Sequence, residues 1–219
     1  MASVHVQPGR IVQAVLHGQE LAVWRNAQGT VQAWENRCPH RGMRLTMGRI
    51  VDDQLACAYH GWRFGSGGQC TAIPAHPGMT PPRTVCAKTY PVTERCGMVW
   101  IAMDQPDEDA PAIPPLADPQ RRALFCRSFV TYASIQSVSE VLQRDSSTVY
   151  SKHGDSVLID GSDPDVLAIL LLHPMTAAKS VVHLWLSLAS DAGDDETLIA
   201  KQIAQFKRQR RGIEALLAA

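Results

Sequence analysis

Two short motifs that each combine one cysteine with one histidine constrain this chain more than any other feature. The first is Cys38-x-His40, and the second is Cys57-x-x-His60, with sixteen residues between His40 and Cys57. A thiolate and an imidazole on one tight loop can reach the same site, so two such loops facing each other supply four ligands. The spacing therefore predicts a metal centre held by these four residues.

The composition of the two motifs favours a two-iron cluster over a single zinc ion. Zinc sites usually place two cysteines in one motif, Cys-x2-4-Cys, and two histidines in another, His-x3-5-His. Here each motif mixes the two residue types, so one iron can take both thiolates while the other takes both imidazoles, and each loop bridges the cluster. A tetrahedral zinc site and a set of residues that binds no metal are the alternatives.

The residues around the four ligands resemble the Rieske [2Fe–2S] signature. The segments Cys38-Pro-His-Arg-Gly and Cys57-x-Tyr-His-Gly-Trp-x-Phe are similar to the version carried by Rieske non-heme iron oxygenases. Rieske proteins of respiratory complexes have an extra cysteine in each loop, and these form a disulfide that is not expected here. The resemblance covers residues 8 to 104 and implies a [2Fe–2S] cofactor in an antiparallel β domain. It also implies that the proline-rich loop from Ile73 to Pro82 packs over the cluster.

Composition and charge exclude several classes of partner. Lys+Arg and Asp+Glu balance at 21 each, which predicts neither nucleic acid nor an anionic membrane as a partner. No apolar run is long enough for a transmembrane helix, and the first ten residues do not have the pattern of a secretory signal. Four further cysteines show no disulfide framework, which favours a reduced, cytoplasmic location with these residues buried or half-buried: Cys70, Cys86, Cys96 and Cys126.

The chain is predicted to be mainly β, with three parts. Residues 1–104 form the Rieske domain, which begins with a β meander over residues 11–35 and has later strands at residues 84–90 and 98–103. Residues 105–120 form an acidic linker; with five prolines in residues 104–120, neither a regular helix nor a central strand is expected there. Residues 121–219 form a small α+β unit that resembles a truncated helix-grip domain. A strand over residues 124–135 and an irregular polar segment over 136–155 are expected first. Strands at 157–159, 166–173 and 180–190 follow, the last two joined as a hairpin by residues 174–179, and then a long C-terminal helix that ends near Leu217.

A second iron site is not predicted. In the resembled oxygenases, an Asp-x-x-His-x4-His segment supplies ligands to one mononuclear iron, and no such segment occurs here. The nearest substitute combines His153 and a nearby aspartate, Asp145 or Asp155, with His173 or His183. His173 and His183 lie on adjacent predicted strands and could face each other. Mononuclear Fe(II) is therefore not expected as a cofactor.

These observations predict an electron-transfer component of an oxygenase-type system, an oxidoreductase without a catalytic site of its own. It would pass single electrons from a flavin or ferredoxin reductase to a terminal oxygenase subunit, through an exit face that Tyr59 and Trp62 flank. One alternative is a compact terminal oxygenase, a hydroxylase or demethylase, with an irregular triad such as His153, His173 and Asp155. Another is an assembly protein in which the cluster only stabilises the fold. Because trimers are common in the resembled family, a homo-oligomer is a further expectation.

Overall fold

The computed structural model describes residues 1–106, 109–143, 157–160 and 165–190, together with positions 200, 203, 204, 207 and 211. The chain divides into two compact units, Met1–Ala110 and Pro111–Ala219. Both units are built on antiparallel strands, which confirms the mainly β class. The proposed boundaries at residues 104 and 120 stay a prediction. Within the described residues, no helix is long and apolar enough to cross a membrane.

The first unit contains ten short strands in two sheets and one hairpin. In chain order they are β1 (Ile11–Leu16), β2 (Gln19–Arg25), β3 (Val31–Glu35), β4 (Arg49–Val51), β5 (Gln54–Ala56), β6 (Arg63–Phe64), β7 (Cys70–Ala72), β8 (Thr89–Tyr90), β9 (Val92–Arg95) and β10 (Met98–Ile101). One sheet has the order β1-β2-β3-β8, the other the order β4-β5-β6-β7, and β9 pairs with β10. The predicted meander over residues 11–35 is confirmed, and Gly18 and Gly29 provide its left-handed turns with φ of 82° and 85°.

The strand predicted for residues 84–90 is shorter than expected. Only Thr89–Tyr90 pairs with β3. The amide of Val85 donates a hydrogen bond to the carbonyl of Pro82, so the chain leaves the prolines in a turn and not in a strand.

One of the apolar clusters in the first unit contains both cysteines of the predicted metal centre. Trp24 and Trp34 meet edge to face with ring centroids 5.2 Å apart. Around them pack further buried side chains, which include Leu45, Leu55, Phe64, Cys38 and Cys57. Burial of each large side chain contributes about 1.5–3 kcal/mol. The two cysteines of the predicted metal centre are therefore part of the hydrophobic core, and they are held as rigidly as the rest of it.

Among the described residues, the second unit has a four-stranded antiparallel sheet and two short helices before residue 144. Their bounds are α1 (Pro114–Ala117), β11 (Arg121–Thr131), α2 (Ile135–Gln143), β12 (Val157–Asp160), β13 (Val166–Thr176) and β14 (Lys179–Ala189). The sheet order is β11-β14-β13-β12. The three predicted strands after residue 156 are confirmed. The hairpin between β13 and β14 also forms, but Pro174 lies within β13 and the turn consists of Ala177 and Ala178. At the positions described beyond residue 190, the backbone is helical; the rest of the predicted C-terminal helix lies outside the described residues.

Two sequence expectations in this unit are wrong. The linker does contain a helix, α1, because a proline in the first turn loses only an amide hydrogen that has no partner there. The first strand of this unit, β11, ends at Thr131 and does not continue to residue 135 as expected. The helix α2 then occupies Ile135–Gln143, in a segment that was expected to be irregular. Ser134 caps α2, since its hydroxyl accepts a hydrogen bond from the amide of Ser137 at 3.1 Å. Val138 is fully buried and attaches the helix to the core that β13 and β14 share.

Candidate metal centre

The two metal-binding loops have the same backbone hydrogen bonds. In the first, the amide of Cys38 donates to the carbonyl of Met43 at 2.8 Å, and the amide of Gly42 donates to the carbonyl of Cys38 at 2.8 Å. In the second, Cys57 donates to Trp62 at 2.9 Å and Gly61 to Cys57 at 3.0 Å. Each loop is thus a closed turn that begins at a buried cysteine. The spacing Cys-x3-Gly, which both loops share, was a signal for this turn that the sequence interpretation did not use.

A glycine closes each loop because the backbone there is left-handed. Gly42 has a φ of 74° and Gly61 a φ of 69°, a region that side chains with a Cβ rarely occupy. At Gly61 space is limited as well, because a Cβ would lie 3.2 Å from Cγ of Pro74. The proline-rich loop therefore packs directly on the second metal-binding loop, in the position that the resemblance implied.

The two thiols lie together on the inner side of the site. Cys38 is 3% exposed and Cys57 is 2% exposed, and the two thiols are close enough for Cys57 to affect the pKa of Cys38. Burial raises the pKa of Cys38 to about 11, and the neighbouring Cys57 adds to that increase. The neighbouring backbone amides of His40 and Arg41 oppose this increase in the pKa of Cys38. Amides near a sulfur favour its thiolate form and would therefore support a metal-bound thiolate.

The two imidazoles lie together on the outer side. The ring centroids of His40 and His60 are 4.7 Å apart, and His60 is exposed while His40 is half-buried. An aromatic ring stacks on each of them, Trp62 on His40 at 4.0 Å and Tyr59 on His60 at 3.8 Å. Partial desolvation, followed by the charges of His60 and Arg41, lowers the pKa of His40. A lowered pKa favours the neutral imidazole, the form that binds metal.

The donor set fits a [2Fe–2S] cluster. Two sulfurs pair in the interior and two imidazoles pair toward solvent, which matches one iron with thiolate ligands and one iron with nitrogen ligands. In the part of the chain that the structure describes, no three His, Cys, Asp or Glu side chains converge on a single metal ion. The assignment of Cys38, His40, Cys57 and His60 as ligands stays a prediction that this pairing supports.

His173 and His183 do meet in the second unit, as the strand pattern suggested. His173 Nδ1 lies 3.0 Å from Nε2 of His183, and His183 Nδ1 lies 2.6 Å from the hydroxyl of Ser128. Both ring nitrogens of His183 are therefore engaged by protein groups. His153 and Asp155, the other members of the substitute triad, lie outside the described residues.

The remaining cysteines and histidines follow the sequence interpretation with one exception. All six cysteines are free thiols. Cys70 is buried, and Cys96 and Cys126 are half-buried, but Cys86 is exposed, so its predicted burial is wrong. It lies between the inward-facing Val85 and Ala87 in an extended segment, where alternate side chains point to opposite sides. Two histidines of the first unit outside the candidate centre are exposed, His17 and His76.

The fold of the first unit and its paired loops are those of an iron–sulfur domain of the Rieske class. The family model for the Rieske [2Fe–2S] domain matches residues 1–91. The N-terminal part of the chain is therefore a Rieske domain, and the cofactor of such a domain is a [2Fe–2S] cluster. The recognised resemblance and the cofactor prediction are both confirmed.

Two curated relatives each match less than half of this chain. Oxidoreductase NdmD from Pseudomonas putida is 50% identical over 97 residues, which are 44% of this chain and 16% of NdmD. The oxygenase subunit of 3-chlorobenzoate-3,4-dioxygenase from Comamonas testosteroni is 40% identical over 96 residues, 43% of this chain and 22% of that subunit. The matched segment thus spans less than a quarter of either relative.

Solved structures extend the likeness to the second unit. The crystal structure of dicamba monooxygenase superimposes with a TM-score of 0.77 at 20% identity, covering 90% of this chain and 77% of that one. At this identity the likeness concerns the fold alone. It shows that a β domain followed by a second sheet unit is an architecture that this chain shares with dicamba monooxygenase.

Proposed function

We propose that this protein is a one-electron carrier in an oxygenase-type system, which receives electrons from a flavin or ferredoxin reductase and passes them to a terminal oxygenase. The single observation that carries the proposal is the pairing of buried thiols and outward imidazoles in a Rieske domain. The oxygenase-related sequences and folds among its relatives support the kind of system. In this proposal Cys38 and Cys57 hold one iron, and His40 and His60 hold the other.

The chain's own residues would determine how the electron enters and leaves. A [2Fe–2S] cluster, when bound, takes up and releases one electron. Neutral imidazoles in place of two thiolates make the centre less negative, so its potential lies above the roughly −400 mV of plant-type clusters. The exposed ring of His60 would shorten the distance for electron transfer to a partner protein. Pro74, which packs against Gly61, would limit the access of water to the centre on the side of the proline-rich loop.

The same proposal places the protein in the cytoplasm. Six free thiols, one of them exposed, fit a reducing compartment.

One observation favours a second candidate, a compact terminal oxygenase. His173 and His183 approach within 3.0 Å on the same face of the second sheet, as two ligands of one metal ion would. Against it, Ser128 and His173 between them engage both nitrogens of His183. We therefore retain electron transfer as the first proposal. Substitution of these two histidines distinguishes the electron carrier from the compact oxygenase.

The test is a metal and turnover analysis of the purified protein. We expect two irons and two sulfides per chain, a Rieske-type EPR signal after anaerobic reduction, and reoxidation by an oxygenase acceptor. Cys57→Ser should abolish the signal, because the buried thiolate is lost and a serine hydroxyl is a poor ligand for this centre. The His173→Ala/His183→Ala double variant should leave cluster content and electron transfer unchanged.

The opposite pattern contradicts the proposal. A third iron that supports product formation by the protein alone, and that disappears in the His173→Ala/His183→Ala variant, would establish the compact oxygenase. A Cys57→Ser protein that still supports the complete system in cells would instead favour a role in assembly.

A further inference from the structure

Positive charge is concentrated around the metal-binding loops although the chain as a whole is neutral. The formal net charge of all 219 residues is zero. Between residues 37 and 63, however, there are five arginines and only two acidic residues: Arg37, Arg41, Arg44, Arg49, Arg63, Asp52 and Asp53. This excess lies on the segment that contains both loops of the metal centre.

Partners within the fold neutralise part of this charge and leave the rest. Arg44 pairs with Glu20 at 2.7 Å and Arg63 pairs with Asp52 at 3.1 Å. The carboxylate of Asp53 accepts a hydrogen bond from the amide of Ala27 at 2.6 Å. The other three arginines are exposed and have no ion pair within the described part of the chain: Arg37, Arg41 and Arg49.

These three arginines border the two loops. Arg37 precedes the first cysteine, and its Nε lies 3.3 Å from the position that a Cβ on Gly42 would take. Arg41 follows His40 and is close enough to lower the pKa of that imidazole. Arg49 is paired with Ala56, the residue before the second cysteine. Arg37 and Arg41 therefore border the first loop, and the backbone of Arg49 lies beside the strand that leads into the second loop.

Exposed apolar side chains lie within the same segment. Tyr59 is 63% exposed while its ring stacks on His60, and Met47 is 63% exposed on the short helix that follows the first loop. Tyrosine, methionine and arginine are enriched at protein interfaces, where arginine and tyrosine often supply most of the binding energy.

We propose that this face docks an acidic electron-carrier domain, with Arg37, Arg41 and Arg49 around the rim and Tyr59 and Met47 at the apolar contact. The inference rests on the proposed function and names the chemistry of its electron donor. Complementary charge would steer the donor to the exposed imidazole of His60. One electron passes from the reduced carrier to the oxidised centre, and no bond forms or breaks.

The experiment is stopped-flow reduction of the cluster-loaded protein by a reduced, acidic plant-type ferredoxin. The Arg37→Gln/Arg49→Gln double variant removes two rim charges without changing a residue next to a histidine ligand. Arg10→Gln, at an exposed arginine outside the segment, is the matched control. At an ionic strength of about 20 mM, the second-order rate constant of the double variant should fall about tenfold, while the control stays unchanged. Near 300 mM, the difference should largely disappear because the charges are screened.

Two control reagents separate the outcomes. Dithionite should reduce all variants at the same rate, and measured reduction potentials allow the rates to be compared at equal driving force. If the double variant and Arg10→Gln behave alike with the acidic carrier, or if a basic carrier reacts faster, the docking inference is overturned. If no carrier protein of either charge reduces a centre that dithionite reduces, the proposed function itself fails.

Discussion

Replacing Gly48 by alanine tests how closely the second metal-binding loop depends on its neighbouring strand. Gly48 directly precedes β4, and its backbone has ordinary negative φ, so alanine causes no backbone strain there. A Cβ at this position would, however, lie 2.4 Å from the carbonyl oxygen of Ala56. That oxygen belongs to the peptide bond that joins Ala56 to Cys57. The methyl group therefore presses on the backbone that positions the ligand.

The loss in stability of Gly48→Ala follows from how far the backbone must move to make room for the methyl group. Real Cβ atoms essentially never approach a neighbour closer than 3.0 Å, so the two strands must separate by about 0.6 Å. Overpacking of this kind costs about 1–3 kcal/mol. For a unit of this size, a loss of about 2 kcal/mol lowers Tm by roughly 10 °C. Because Cys57 moves with Ala56, we also expect less bound iron and sulfide per chain.

The assay compares Gly48→Ala with Gly78→Ala. At Gly78 an added Cβ would have no neighbour within 4 Å, and its φ is not in the left-handed region. Gly78→Ala should therefore leave Tm unchanged or raise it slightly, since alanine reduces the entropy of the unfolded chain. Thermal unfolding and iron and sulfide content are measured for both. Equal Tm values and full cluster content in Gly48→Ala would refute the reasoning.

Two further predictions concern ionisable groups outside the centre. Hydrogen bonding to Arg25 holds the pKa of Glu94 below its ordinary value of 4.5; this stabilisation is fully present above that value and is lost as pH falls through the lower, folded-state pKa. Glu94→Gln should thus lose less Tm than the wild type between pH 7 and pH 3, and parallel acid curves would contradict the assignment. Burial raises the pKa of Cys126 to about 11. At pH 8 its thiol should therefore react with iodoacetamide much more slowly than the thiol of the exposed Cys86. Peptide mass spectrometry measures the two labelling rates. Equal labelling rates would contradict it.

Features that depend on residues close together in the sequence were predicted correctly. The paired Cys and His motifs, the glycine turns of the meander and the β13–β14 hairpin each depend on short spacings, and these were predicted. The helix α2 was not predicted because most of its residues are polar, and its apolar positions, which include the buried Val138, form only one narrow face. The exposure of Cys86 was missed because alternation in a short extended segment is visible only when its pairing is known.

The sequence by itself determined that a Rieske domain with a [2Fe–2S] cofactor begins this chain, because residue type and spacing within each loop decide the chemistry of the donors. Only the tertiary structure decided how the loops face each other, with thiols inward and imidazoles outward, and that Pro74 lies against Gly61. It also decided that His173 contacts His183 and that Arg49 lies beside the second loop. These contacts join residues that are distant along the chain, and strand register and core packing set them.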